Sequence, residues 1–262
     1  MTPPDTVSAD ALPRQQPWVA AGWRRAEQLM RRYRDADTEA LLAAIIRAEF
    51  PGRIALVSSF GAEAAVLLHL VASIEPATPV IFLDTGKLFG ETRRYRDRLT
   101  RELRLQDVRT IEPAPERIEA FDPDSVLWYG NPDMCCHIRK VEPLQRALEG
   151  LDAWITGRKG FQGGARTQLR RVEVNGGDGR IKINPLADWR KADLDAYFER
   201  HSLPRHPLEA DGFPSIGCMP CTDRIAPGEH ARSGRWRGEE KTECGIHLPM
   251  GKWKMNGIDG DA

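Results

Sequence analysis

The apolar positions of this chain change period several times along its length. Leu41, Leu42, Ile45 and Ile46 recur at helical spacing behind Asp37-Thr38, which offers a side-chain cap, so a helix is expected there. Ile54-Ala55-Leu56-Val57-Ser58 is a short apolar run of strand length, and Val80-Ile81-Phe82-Leu83-Asp84 is a second. Between them Ser59 to Glu63 turns the chain, and Ala64 to Val71 reads as a buried helix. A charged helix is expected from about Glu91 to Leu103. Val108-Arg109-Thr110-Ile111 and Ala153-Trp154-Ile155-Thr156-Gly157 read as the third and fourth strands. Strands alternating with helices predict an α/β fold, a parallel sheet flanked by helices. Ligands of such sheets bind beyond the carboxyl ends of the strands. The loops after Ser58, Asp84 and Thr156 are therefore expected to converge on one site.

The texture then changes. Arg171 to Val174 and Arg180 to Ile183 flank Asn175-Gly176-Gly177-Asp178-Gly179, a hairpin pattern. Asp188 is read as the cap of a helix reaching about Arg200. Beyond His201 the chain is dense in Pro, Gly and charge, which suggests a lobe held by contacts with a cysteine site, then a mobile tail. Residues 1–17 are polar and Pro-rich and are expected to be disordered. That divides the chain into a disordered start, a main domain over 18–226 and a C-terminal segment over 227–262.

Charge narrows the classes. Thirty-eight basic and 38 acidic residues in 262 cancel, so nothing overall points to nucleic acid or a membrane surface. No apolar run approaches the roughly 20 residues of a membrane helix, and no secretory core is visible at the start. Five cysteines spaced two, two and one do not resemble a secreted disulfide framework and suit a cytoplasmic metal or redox role.

Those cysteines carry the candidate chemistry. Cys135 and Cys136 open Cys135-Cys136-His137-Ile138-Arg139-Lys140, where adjacent cations favour thiolates. Cys218 and Cys221 form a Cys-x-x-Cys pair. Four gathered thiolates suit an iron–sulfur cluster or a tetrahedral zinc ion. Cys244, in Glu243-Cys244-Gly245-Ile246-His247, is left over beside a flexible glycine, and His247 could support its thiolate or hold an anion.

Several loops have anion-binding character. Ser58-Ser59-Phe60-Gly61-Ala62-Glu63 offers backbone N–H groups and a helix start to an anion, or is an ordinary turn. It lacks the Gly-Lys-Ser/Thr ending of a Walker loop, so a triphosphate with magnesium is not implied. In Leu83-Asp84-Thr85-Gly86-Lys87, Asp84 could accept from a ribose hydroxyl or adenine amine, or form an Asx turn. Gly157-Arg158-Lys159-Gly160 to Arg166 is a Gly-rich cationic loop at a strand end. Arg232-Ser233-Gly234-Arg235-Trp236-Arg237 could clamp a phosphate or sulfate through guanidinium pairs.

Taken together, these motifs resemble the adenylyl-sulfate (APS) and 3′-phosphoadenylyl-sulfate (PAPS) reductase family, and most closely its assimilatory APS reductases. The resemblance runs from about Ile54 to His247 and rests on the motifs quoted, including Ile216-Gly217-Cys218-Met219-Pro220-Cys221. It implies an adenine nucleotide alpha hydrolase-like (ATP-pyrophosphatase-type) fold and a [4Fe-4S] cluster on Cys135, Cys136, Cys218 and Cys221. It also implies a catalytic Cys244 on a mobile segment. Substrate contacts would come from Ser58, Ser59, Gly61, Asp84, Thr85, Lys140, Gly157, Arg166, Arg232, Arg235 and His247. The partners implied are APS, thioredoxin or a glutaredoxin-like reductant, and further copies of the chain in a homo-oligomer. The four cluster cysteines favour APS, although some cluster-bearing relatives take PAPS as well. A departure stands at Gly160, where a basic residue is expected and a cation near the nucleotide would be missing. The competing readings are an ATP-dependent adenylating or thiolation enzyme of the same fold and a zinc-stabilised binding module.

Overall fold

The computed structural model describes residues 17–175 and 178–247. Six strands form one sheet: β1 Ile54–Val57, β2 Val80–Leu83, β3 Val108–Ile111, β4 Ala153–Thr156, β5 Val172–Val174 and β6 Ile181–Ile183. The helices are α1 Pro17–Arg32, α2 Thr38–Ala44, α3 Ala64–Ile74, α4 Gly90–Glu102, α5 Pro115–Phe121, α6 Leu127–Gly130, α7 Pro132–Cys136, α8 Glu142–Ala147, α9 Lys191–Arg200 and α10 Pro207–Ala210. The sheet order is β3-β2-β1-β4-β6-β5, parallel except for β5 against β6. From β1 the chain builds outward through β2 and β3, then returns to the other edge of β1 as β4. The crevice at the carboxyl ends of β1 and β4 is thus a topological switch point, where open α/β sheets bind ligands.

The central strands are buried on both faces, so their sequences are continuously apolar. Alternation still sorts their side chains. Ile54, Leu56, Val80, Phe82, Ala153 and Ile155 join the larger core with α1 to α4 and α9. Ala55, Ile81 and Trp154 face the other way, onto Leu144 and Leu148 of the α8 region. On β6 the same rule sends Ile181 and Ile183 into the larger core and turns Lys182 to the thinner face, where its Nζ lies 4.8 Å from the Trp154 ring centroid.

The four expected strands and the hairpin are all present. Asp37 caps α2 by accepting from the Ala40 N–H at 2.7 Å. Asp188 is not the cap of α9. Arg190 holds that position, and Asp193 accepts from its N–H at 2.8 Å in a capping box. Pro17, read with the disordered start, opens α1, a helix absent from the sequence reading. Residues 1–16, with the rest of that expectation, lie outside the described residues, as do 248–262 of the C-terminal segment. No helix among the described residues is long and apolar enough to cross a membrane.

Candidate active site

The loops after β1 and β4 meet over the switch point and wall a cleft. Ser58, Ser59 and Gly61 border it from one side, and Gly157, Arg158, Lys159 and Arg166 from the other. Lys140, Cys218, Arg232 and Arg235 contribute a third wall, and Glu243, Cys244, Ile246 and His247 close it. The loop after β2 reaches the cleft through Leu83 and Leu88, whereas Asp84 and Thr85 do not border it. Asp84 instead accepts from the Arg93 guanidinium at 2.8 and 2.9 Å and from the Gly86 N–H at 3.0 Å. That pairing, with the Gly86 N–H, holds its carboxyl below the usual range despite burial. Thr85 Oγ1 lies 3.2 Å from Cys218 Sγ, on the cysteine side of the loop.

The first loop is bent by Phe60, a non-glycine residue at φ 49°. Its ring is fully buried edge-on to Phe82, with centroids 5.4 Å apart, and this packing holds the backbone there. The Phe60 N–H donates to Ser58 Oγ at 3.2 Å. Helix α3 follows with no side-chain cap, so N–H groups of its first turn remain available to an anion.

The cations of the site divide into committed and uncommitted groups. Lys159 Nζ donates to Glu63 at 2.8 Å, and Arg158 pairs with Glu173. Arg166 donates through Nε and Nη2 to both oxygens of Glu243, the second at 2.8 Å, and its Nη1 donates to Gln162. Lys140 and Lys241 act on Cys136, Cys221 and Cys244, and Arg235 acts on Cys221. Burial and the neighbouring Arg166 push Arg232 down to about 10. Arg235 Nε donates to the Cys221 carbonyl at 3.2 Å, and the Trp236 N–H to the same oxygen at 3.3 Å, which fastens this basic segment to the Cys-x-x-Cys turn.

Gly160 does not border the cleft. Its N–H donates to Ala187 O at 2.9 Å, and a Cβ there would lie 3.0 Å from that oxygen. A side chain at 160 would press on Ala187, so glycine here answers a close backbone approach. It does not take a cation from the cleft.

Cys135 and Cys136 lie on α7, which Asn131 caps by accepting from the Met134 N–H at 3.0 Å. A π-helical turn, His137–Val141, follows, and as consecutive helical residues Arg139 and Lys140 leave it in different directions. Arg139 donates to Asp122 at 3.1 and 2.5 Å and to Thr85 O at 2.9 Å. It is therefore committed to Asp122, and Lys140 is the cation of that pair that faces the thiols. Burial opposes the Lys140 charge, but Cys218, Cys244 and Cys136 outweigh it and hold its pKa well above the usual range.

Cys135, Cys136, Cys218 and Cys221 border one small cavity together with Arg139 and Lys140, and all are free. Burial pushes Cys135 up to about 11 and raises Cys221. Among the described residues no three His, Cys, Asp or Glu converge as ligands of one ion would. Four thiols bordering one cavity are a donor set of the kind that holds a cluster or a metal ion.

Cys244 is half-buried and shares a hydrogen bond with Cys136. That bond, then Lys140, the Ile246 N–H and Lys241, lowers its pKa well below the ordinary thiol value against the effect of burial. His247 goes the other way. Burial, then Lys182, Arg158, Arg166 and Arg232, holds its imidazole neutral, so it adds no positive field to Cys244. Lys182 itself is pushed down to about 7 by burial and by Arg158. Glu63, Glu243 and Lys182 were missed in the sequence, where their charges carry no sign of which distant partner they meet.

A family profile described as "Phosphoadenosine phosphosulfate reductase domain" matches residues 53–224. The chain is 50% identical over 225 residues to a protein of Chelativorans sp. (strain BNC1) named adenosine 5'-phosphosulfate reductase, covering 86% of this chain and 91% of that one. It is 40% identical over 237 residues to a phosphoadenosine 5'-phosphosulfate reductase of Gloeobacter violaceus, covering 88% and 97%. Among solved structures, a phosphoadenylyl-sulfate (PAPS) reductase from Candida auris, in a phosphate complex, superposes with TM-score 0.64 at 25% identity, covering 77% of this chain and 97% of that one. The sheet and its flanking helices have the adenine nucleotide alpha hydrolase-like architecture expected from the motifs. With the matched profile spanning β1 to the Cys-x-x-Cys turn and half of the aligned residues shared with a relative covered to 91% of its length, the chain belongs to the phosphoadenosine phosphosulfate reductase domain family.

Proposed function

We propose that the protein reduces adenylyl sulfate to sulfite and AMP, with Cys244 as nucleophile and thioredoxin, or a glutaredoxin-like dithiol, as reductant. The observation that carries this reading is the presence of Cys244 in the cleft beside Lys140, with Arg232 and Arg235 on the same wall. The phosphate and sulfate meet the Ser59 to Gly61 loop and the start of α3. The Cys244 thiolate attacks the sulfate sulfur, a sulfur–sulfur bond forms, and the bond from sulfur to the bridging oxygen breaks. The electron pair leaves on the AMP phosphate, where Lys140, Arg232 and Arg235 offset the growing charge. S-sulfocysteine remains on Cys244. One thiolate of the reductant attacks the Cys244 sulfur and releases sulfite, and its second thiol resolves the mixed disulfide. The reductant supplies the two electrons. Neutral His247 packs on Trp154, and its buried Nδ1, unpartnered among the described residues, is left for a hydrogen bond to the substrate.

Cys135, Cys136, Cys218 and Cys221 would hold the [4Fe-4S] cluster. When bound it would supply a fixed charge beside Lys140. Relatives named for each nucleotide keep PAPS, or both substrates, as a second reading.

The test is the intact mass of anaerobically purified protein after incubation with adenylyl sulfate and no reductant. The expected result is a gain of one SO3 group, mapped to Cys244 and removed by thioredoxin. Cys244→Ser is expected to abolish both adduct and sulfite and to leave the iron content unchanged. Absence of the adduct from iron-loaded protein, or release of pyrophosphate from ATP, would overturn the reading in favour of an ATP-dependent enzyme.

A further inference from the structure

The residues before Cys244 are anchored one after another. Lys241 Nζ pairs with Asp133 of α7. The Thr242 carbonyl accepts from Arg232 Nη2 at 2.9 Å. The Glu243 carboxylate receives the Nε and Nη2 fork of Arg166, with Arg232 Nη2 a further 3.7 Å away. After Cys244 the contacts change character: Ile246 packs on the Trp154 face, and His247 stacks on the Trp154 ring.

Glu243 is the most buried of the polar anchors, with a side chain 7% exposed, and Arg166 is 10% exposed. A guanidinium has five N–H donors, of which the side fork suits a carboxylate or phosphate bidentately. Arg166 has committed that fork to Glu243 and one further donor to Gln162. While the tail is seated, Arg166 cannot offer the same fork to a nucleotide.

We infer that Glu243 is the positioning residue that seats Cys244 in the cleft, and that the Arg166 guanidinium is its dock while the tail is seated. The role of Cys244 as nucleophile rests on the function proposed above; the docking itself does not. Removing the carboxylate charge leaves the Arg166 guanidinium buried and unneutralised, an arrangement that favours detachment of the tail.

The test uses the holoprotein and two readouts. The first is alkylation of Cys244 by iodoacetamide without nucleotide, followed by proteolysis and mass spectrometry. Glu243→Gln is expected to raise the Cys244 rate at least about ten-fold, and Asp133→Asn, at the more exposed anchor, by a smaller factor. The second readout is single-turnover S-sulfation against nucleotide affinity. Glu243→Gln is expected to slow transfer at saturating adenylyl sulfate at least about ten-fold and to leave its Kd within about two-fold. Glu243→Asp, which keeps the charge, is expected to recover part of the rate. An unchanged alkylation rate in Glu243→Gln would overturn the docking. Weaker nucleotide binding in Glu243→Gln, with transfer at saturation unchanged, would overturn its positioning role. Faster alkylation of Glu243→Gln, with no SO3 adduct formed on the wild-type protein, would uphold the docking and remove the proposed reaction, so the two failures are distinguishable.

Discussion

The His247 imidazole lies parallel to the Trp154 indole, with ring centroids 5.9 Å apart and planes inclined by 1°. Lys182 approaches the same indole. Burial and this cationic surrounding hold His247 neutral. Its ring resonances are therefore expected to stay in the neutral form from pH 8 to about 5.5, where an unperturbed histidine is mostly charged. Titration near 6.5 in an NMR series would mean that the imidazole does not rest among these cations.

Lys140 faces the thiols without a carboxylate partner among the described residues. Lys140→Ala is expected to slow single-turnover sulfo-transfer about 100-fold, the scale of one lost transition-state contact. Iron content should be unchanged. An unaltered rate would remove Lys140 from the electrostatics of the reaction.

Gly217 lies against the guanidinium of Arg235, and a Cβ there would overlap the far end of that side chain. A guanidinium can move where backbone cannot. Gly217→Ala is therefore expected to displace Arg235, slow transfer by roughly 10- to 100-fold, and change stability by less than about 1 kcal/mol. Urea unfolding and single-turnover kinetics on one preparation would separate the two effects. A large loss of stability would show that the turn itself gives way.

Lys159 and Glu63 form a mostly buried pair, with side chains 5% and 13% exposed. Burial lowers the Lys159 pKa, and Glu63 opposes that fall. Glu63→Ala is expected to destabilise the protein by about 3 kcal/mol, because it leaves a buried cation alone. The double substitution Glu63→Ala with Lys159→Met should recover most of the loss. Additive losses in denaturant titrations would argue that the pair is not coupled.

Acid sensitivity is expected from His206. Its Nδ1 accepts from the Leu208 N–H at 3.2 Å, and Nε2 lies 3.2 Å from Thr92 Oγ1. Protonation of Nδ1 would break the first bond, and burial pushes the pKa to about 4. A folded pKa below the unfolded one means that the unfolded chain binds more protons between those values. The stability due to His206 is thus present above about 6.5 and is lost as pH falls towards about 4, on the order of 2 kcal/mol. His206→Asn should flatten the fall in thermal midpoint between pH 7 and 4.5. An equally steep fall in the variant would assign it to other groups.

The strands were legible because β1, β2 and β4 are apolar on both faces, and only a parallel sheet buries both. Their order was not, since no residue in β4 reports that it returns beside β1. The cysteine helix α7 was missed because five residues starting at Pro132 show no helical period, and Asn131 is a cap visible only once the helix is known. Arg190 took the cap position read for Asp188, with Asp193 completing the capping box, because the helix starts two residues later than its first acidic signal suggested. Of the cations read as anion-binding, Arg158, Lys159 and Arg166 meet carboxylates 15, 96 and 77 residues away in sequence. Such pairings are set by the fold, and local composition carries no trace of them.

β1 and β4 are interior neighbours, each hydrogen-bonded along both edges. Amides at the carboxyl ends of these strands are expected to exchange with solvent only when the whole sheet opens. Residues 243–247 hold their places through side-chain anchors and a ring stack, and their amides should exchange through a local detachment of far lower free energy. The two halves of one cleft therefore differ in lifetime. The wall proposed to meet the nucleotide outlasts each departure of the proposed nucleophile, so affinity and delivery of the thiol can be adjusted independently, by changes in separate parts of the chain.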